Sequence, residues 1–179
     1  VALTSTIYRF DIDLADTDRH LYESLALHVA CHASESDEYL VARVLAYALE
    51  YTEGIEFTRG LSEPEWPAIL VRDLTGALQS WIEIGTPDAA RLHKACKASP
   101  RVAVYVHKEP TQWLRALAGE RIHRRDAIEL YAIDRELIGA LVARLGRRMS
   151  CALSITDREL TVSIDTATLT GAVERLTPW

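Results

Sequence analysis

The sequence predicts an α/β domain of α+β character, a mixed β-sheet flanked by helices, with hairpins at both ends. Three observations predict it. Residues 4–13 and 20–32 alternate apolar and polar side chains with period two, as half-buried strands do. Residues 33–51 switch to the 3.6-residue period of a helix. Strand and helix patterns then alternate through the middle of the chain before period two returns near its end.

Each element follows from local chemistry. In "TSTIYRFDID" (4–13), Thr4, Thr6, Tyr8, Phe10 and Ile12 share one face. In "HLYESLALHVACH" (20–32), Leu21, Leu25, Leu27, Val29 and Cys31 do the same, and "LADTD" between them is turn chemistry. Ser34 with Asp37 forms a relaxed capping box for a helix whose stripe is Leu40, Val41, Val44, Leu45, Ala48 and Leu49, ended by Gly54. "IEFTRG" is a short strand and "LSEPEWP" a loop. "AILVRDLTG" and "LQSWIEIG" form a tight hairpin around Gly76. Thr86 caps a second helix, with Pro87 at its first position, that runs to about Ser99. "RVAVYVH" carries no full charge after Arg101 and reads as a buried strand. "PTQWLRALAGE" is helical, "AIELYAI" a strand, and "RELIGALVARLGRR" a helix with cations at its end, capped by Asp134. "MSCALSITDRELTVSID" closes the chain as a hairpin, followed by a tail to Trp179.

A chain of 179 residues is long enough for one domain, 1–179, with a real core. No apolar run approaches a membrane span, and no basic-then-apolar leader precedes the first strand. Cys31, Cys96 and Cys151 are odd in number and in no CxxC pair, which favours reduced thiols and a cytoplasmic setting. The net charge of −6 argues against a protein coated for nucleic acid, but the charge is unevenly placed. Residues 1–90 hold 5 Lys/Arg against 16 Asp/Glu, and residues 91–179 hold 15 against 10. Solvated surface is the plainer reading; carboxylates holding a cation beside a basic wall is the sharper one.

The stretch "QSWIEIGTPDAARLHKAC" (79–96) carries the candidate chemistry. Trp81, Glu83 and Gly85 point to one face of the strand. With a three-residue turn at Gly76, Ala77 and Leu78, Thr75 pairs with Gln79 and Asp73 with Trp81. Asp73 and Glu83 then become diagonal neighbours, roughly 7–8 Å apart at the backbone. Carboxylates at that spacing can converge on Mg²⁺, whose bonds are about 2.1 Å; a two-residue turn flips Asp73 away. Arg91 and Lys94 on the next helix come level with Glu83, and a lysine there can orient an attacking water. Glu38, in the first turn of the first helix, is a supplementary ligand or, more simply, a helix-start acid. Glu83 also reads as a carboxylate paired with Arg91 or Arg43 in a network that holds the fold. His28, Cys31, His32 and Glu35 suggest zinc, but two histidines four apart on a strand are about 13 Å distant. The four tryptophans are scattered, as packing residues are.

"HASESDEYLVARVLA" (32–46), "FTRGL" (57–61), "DLTG" (73–76), "WIEIGTPD" (81–88) and "RLHKAC" (91–96) resemble, in that order, the YaeQ family of bacterial proteins. The resemblance covers essentially the whole chain. It implies a restriction-endonuclease-like core of the PD-(D/E)xK kind with rearranged topology and a Mg²⁺ site on a β-hairpin. Asp73 matches the aspartate and Glu83 the acidic residue of the (D/E)xK element. Gly85 stands where the lysine belongs, so Lys94 takes that role, and Arg72 stands before Asp73. Two readings follow. One is a Mg²⁺-dependent phosphodiesterase with metal on Asp73 and Glu83, Glu38 assisting, Lys94 orienting water, and Arg91, Lys97, Arg101 or "RIHRR" (121–125) on phosphates. The other is a non-catalytic nuclease-like scaffold that binds nucleic acid or protein.

Overall fold

The computed structural model describes residues 4–179. The strands are β1 (Thr6–Asp16), β2 (Leu21–Cys31), β3 (Ile55–Phe57), β4 (Ile69–Arg72), β5 (Leu78–Ile84), β6 (Arg101–Val106), β7 (Glu129–Ile133), β8 (Arg148–Thr156), β9 (Glu159–Ile164) and β10 (Ala167–Leu176). The helices are α1 (Asp37–Leu49), α2 (Ala89–Ala98), α3 (Thr111–Leu117) and α4 (Arg135–Val142). All ten strands join in one sheet of order β2-β1-β8-β9-β10-β7-β6-β5-β4-β3. It is mixed: β1–β8, β5–β6 and β6–β7 are parallel and the other pairs antiparallel. The sheet curls into a nearly closed, barrel-like α+β fold. β2 and β3 are its two edges.

Inside the curl lies α1. Residues 40–48 are buried without a break, so this helix is covered all round rather than on one stripe. The first core joins α1 to Phe10, Ile12 and Leu14 of β1, Leu25, Leu27 and Val29 of β2, and Ile82 and Ile84 of β5. A second, smaller core lies on the other face of β5 and β6. Trp81, Val102, Val104 and Val106 there pack on Leu92, Ala95 and Cys96 of α2. Period-two alternation in β5 thus divides its side chains between two cores.

The alternating faces expected for residues 4–13 and 20–32 hold, with register Phe10↔Leu27 and Ile12↔Leu25. Several boundaries differ. The α1 cap is Ser36, whose side chain accepts from Tyr39 N–H, not Ser34. Ser34 instead hydrogen-bonds the His32 ring. Asp88, not Thr86, caps α2 by accepting from Arg91 N–H, so Pro87 lies outside the helix. α4 stops at Val142, and Arg148 already belongs to β8. The tail expected after residue 165 is a full strand, β10, that joins β9 to β7.

Candidate functional site

The β4–β5 register decides where the two expected carboxylates go. Ile69 pairs with Ile82, Leu70 with Trp81 and Val71 with Ser80, with an irregularity before Arg72. The expected pairing of Asp73 with Trp81 is therefore corrected: Leu70 occupies that place. Asp73 lies beyond the end of β4, in the connecting turn and exposed. Its Oδ1 accepts from Thr75 N–H (2.8 Å), Thr75 Oγ1 (2.6 Å) and Ala77 N–H (3.0 Å), and Oδ2 from Gln79 Nε2 (2.9 Å). These are the bonds of an Asx turn. The Thr75 hydroxyl, with the turn amides and Gln79, holds the Asp73 carboxyl below its usual range.

Glu83 is buried, at 4% exposure. Its Oε1 accepts from Trp81 Nε1 at 2.6 Å and from Arg91 Nε at 2.7 Å. Burial pushes its pKa up, against the pull of Arg91 and the Trp81 hydrogen bond. Desolvation of the buried carboxyl is the largest of these effects and outweighs the pairing. Arg91 also binds the loop that precedes β4. Its Nη1 donates to Pro64 O (2.7 Å) and Nη2 to Trp66 O (2.8 Å). One guanidinium thus ties β5, α2 and the 58–67 loop together, the fold-holding pairing that Glu83 also suggested in the sequence.

The other expected site residues lie apart. Lys94 is ion-paired with Glu65 of the same loop. Glu38 is exposed in the first turn of α1. Lys97 is exposed in the last turn of α2. Arg101 faces inward, where its Nη1 and Nη2 donate to Glu50 (2.7 and 3.0 Å) and its Nε to Glu129 (2.6 Å). Burial pulls its pKa down, but the two carboxylates outweigh that and raise it. Among the described residues no three His, Cys, Asp or Glu side chains converge as metal ligands. A Mg²⁺ ion requires a set of open oxygens around it. A single carboxylate already hydrogen-bonded to Trp81 and Arg91 does not fit that requirement.

Of the two arginines offered as partners for Glu83, Arg91 takes the place, and Arg43 pairs instead with Glu35, one of the residues of the zinc reading. Arg43 and Glu35 form a fully buried ion pair (3.2 Å), and Arg43 Nη2 also donates to Ala30 O at 2.7 Å. Gly60 lies against them with φ +59, and a Cβ there would stand 2.6 Å from Glu35 Oε1 and 2.8 Å from Arg43 Nη1. Leu61 N–H donates to Glu35 as well (3.4 Å), so the 58–67 loop is held at this end too. His107, just past β6, carries no signal in the sequence and is buried with both ring nitrogens unpartnered. Burial, aided by Lys108, lowers its pKa. The Arg43–Glu35 spacing of eight residues gave no signal because the chain leaves the helix between them.

The family described as "YaeQ protein" matches residues 1–173. The YaeQ protein of Escherichia coli K12 is 29% identical over 167 residues, 92% of each chain. That of Salmonella typhi is 37% identical over 107 residues, 60% of this chain and 59% of the other. The crystal structure of YaeQ from Pseudomonas syringae superposes with TM-score 0.86 at 29% identity, covering 97% of this chain and 96% of that one. YaeQ from Xanthomonas axonopodis pv. citri gives TM-score 0.86 at 33% identity, covering 96% and 98%. Sequence and fold agree along nearly the whole chain, and the protein belongs to the YaeQ family.

Proposed function

We propose that this chain is a non-catalytic binding module that takes nucleic acid in a basic cleft beside α2. The observation that supports this is a division of charge. The carboxylates of the expected metal site have internal partners, whereas Lys97 and Arg121 form no ion pair among the described residues. The cleft, of about 570 Å³, is lined by His93, Arg121, His123 and Arg125, with Glu120 and Asp126 as counter-charges. His93 and Lys97 are one helical turn apart on α2. Arg124 adopts φ +49 and donates to the carbonyls of Cys96, Ser99 and Pro100, so it fixes the 121–125 segment to the end of α2. In this reading a nuclease-like scaffold keeps a phosphate contact and does without a metal. Phosphate contacts of this kind give affinity without sequence preference.

Anisotropy of labelled single- and double-stranded DNA and RNA, measured across a salt series, tests the proposal. The expected result is binding whose log K falls linearly with log salt, with a shallower slope in Lys97→Glu/Arg121→Glu. Absence of binding at low salt, or salt-independent binding, overturns it. Mg²⁺- or Mn²⁺-dependent cleavage that is lost in Glu83→Gln would restore the phosphodiesterase reading in its place.

A further inference from the structure

The helix inside the curled sheet leaves a space at one of its ends. α1 stops at Leu49, with Glu50 as its cap. At that end the β1–β2 and β8–β9 turns lie side by side. Thr17 N–H donates to Ile155 O (2.9 Å). The Asp18 carboxylate accepts from the N–H groups of Asp157 (2.7 Å) and Arg158 (3.0 Å). Between the helix end and these turns lies a cavity of about 280 Å³, reached by Leu49 and Glu50 from one side and by Asp18 and Arg158 from the other. The mouth of a barrel is a recurrent place for a small-molecule site, because the walls are rigid and the space is concave.

Leu49, Ile155 and Val173 give this cavity aliphatic walls, and Tyr105 and Tyr131, stacked at 5.0 Å, give it aromatic ones. Its charged groups are three carboxylates and three arginines, and all but one are engaged. Asp16 pairs with Arg19 (2.6 Å), whose other nitrogens donate to the carbonyls of Ala48 and Tyr51 at the end of α1. Glu50 is held by Arg101 (2.7 Å) and by the Tyr105 hydroxyl (2.6 Å). Asp18 is held by the two turn amides. The Arg158 guanidinium alone forms no ion pair and no hydrogen bond among the described residues. It lies over the Tyr131 ring, 5.5 Å from the centroid. Its backbone is fixed: φ is +59, its N–H is on Asp18, and its carbonyl accepts from Val173 N–H (2.8 Å). A positioned set of free donors thus faces a cavity whose other charges are occupied. A cation would meet Arg158 without a free carboxylate. A bare inorganic anion would leave the aliphatic walls uncovered. A guanidinium binds a carboxylate through two parallel N–H bonds, and an apolar body behind that carboxylate covers the walls.

We propose that this cavity binds a small organic carboxylate, its charged end on Arg158 and its apolar body against Leu49, Ile155 and Val173. The site shares no lining residue with the basic cleft beside α2 and does not depend on the nucleic-acid reading.

The test titrates the ¹⁵N-labelled whole chain with benzoate and hexanoate and follows the amide resonances. Benzamide and hexanamide serve as neutral counterparts of the same shape, and inorganic phosphate as the bare anion. The expected result is saturable shifts at Leu49, Asp157, Arg158 and Val173 with at least one carboxylate. Its amide should bind at least about tenfold more weakly, the loss of one charge-assisted pair. Arg158→Gln removes the charge, and Leu49→Trp fills the cavity while leaving Arg158 in place. Each should lower carboxylate affinity by at least about tenfold. Unchanged thermal melting establishes that each variant is folded, and the wild-type shift map decides where a variant is not. Absence of saturable shifts with both carboxylates, or shifts confined to residues outside the cavity, overturns the proposal. So does equal affinity for the carboxylate and its amide, undiminished binding in the two variants, or phosphate binding as tight as that of the carboxylates.

Discussion

Arg91 donates to Glu83 Oε1 at 2.7 Å while its other two nitrogens hold the carbonyls of Pro64 and Trp66. This contact occupies the Glu83 oxygen on which the residue order suggests a metal half-site. Removing the guanidinium leaves a buried carboxylate without its cation and frees one end of the 58–67 loop. Arg91→Ala is expected to lower stability by about 2–4 kcal/mol, below the cost for a fully buried pair because the arginine is partly exposed. Urea denaturation measures the loss. Amide exchange should show faster opening at 61–66, whereas a surface pair without a structural role would leave those amides unchanged.

Glu83 gives this site a pH signature. Its native pKa is raised above the ordinary 4.5. Below that value the carboxyl is protonated in both states and its contribution is fully present. As pH rises through the native pKa, the group must ionise inside the protein and the contribution is lost. Wild type should therefore lose stability relative to Glu83→Gln as pH is raised from about 4 to about 7. A difference that is flat with pH, or of opposite slope, would show that the carboxylate is stabilised in place.

Asp73 should behave in the opposite sense. Its pKa is lowered from 3.8, so its contribution is present above that value and lost as pH falls through the native pKa. Asp73→Asn should destabilise the β4–β5 turn at neutral pH and match wild type in strong acid. Melting curves across that range check the sign.

The side chains of Arg43 and Glu35 are both inaccessible to solvent. Arg43→Ala leaves Glu35 without its cation and the Ala30 carbonyl without its donor inside the protein, and should cost about 3–5 kcal/mol. Arg101→Ala, with its side chain 35% exposed, should cost about 1–2 kcal/mol and leave nucleic-acid binding unchanged. Equilibrium unfolding and the anisotropy assay separate the two effects. Weakened binding in Arg101→Ala would return that residue to the phosphate contacts.

The elements were legible where one period dominated. β1, β2 and α1 announce themselves through Phe10, Ile12, Leu25, Leu27 and the Leu40–Leu49 stripe. The β4–β5 register was not legible, because it depends on how the turn closes. Asp73, Thr75 and Gln79 form a side-chain-bonded turn that shifts the pairing and places Leu70 opposite Trp81. β10 was hidden in a mostly exposed stretch of threonines and small residues whose only strong burial is at Gly171 and Val173. Arg91 was named as a cation near Glu83, and it is one. Its second role, on the carbonyls of Pro64 and Trp66, leaves no trace in residue types because backbone acceptors are the same everywhere.

The most direct test is Mn²⁺ titration of wild type and Glu83→Gln at neutral pH, followed by calorimetry and electron paramagnetic resonance. With Glu83 held by Arg91 and Trp81, both proteins should give the same weak, unsaturable uptake. A saturable Mn²⁺ site in wild type that disappears in Glu83→Gln would contradict the account.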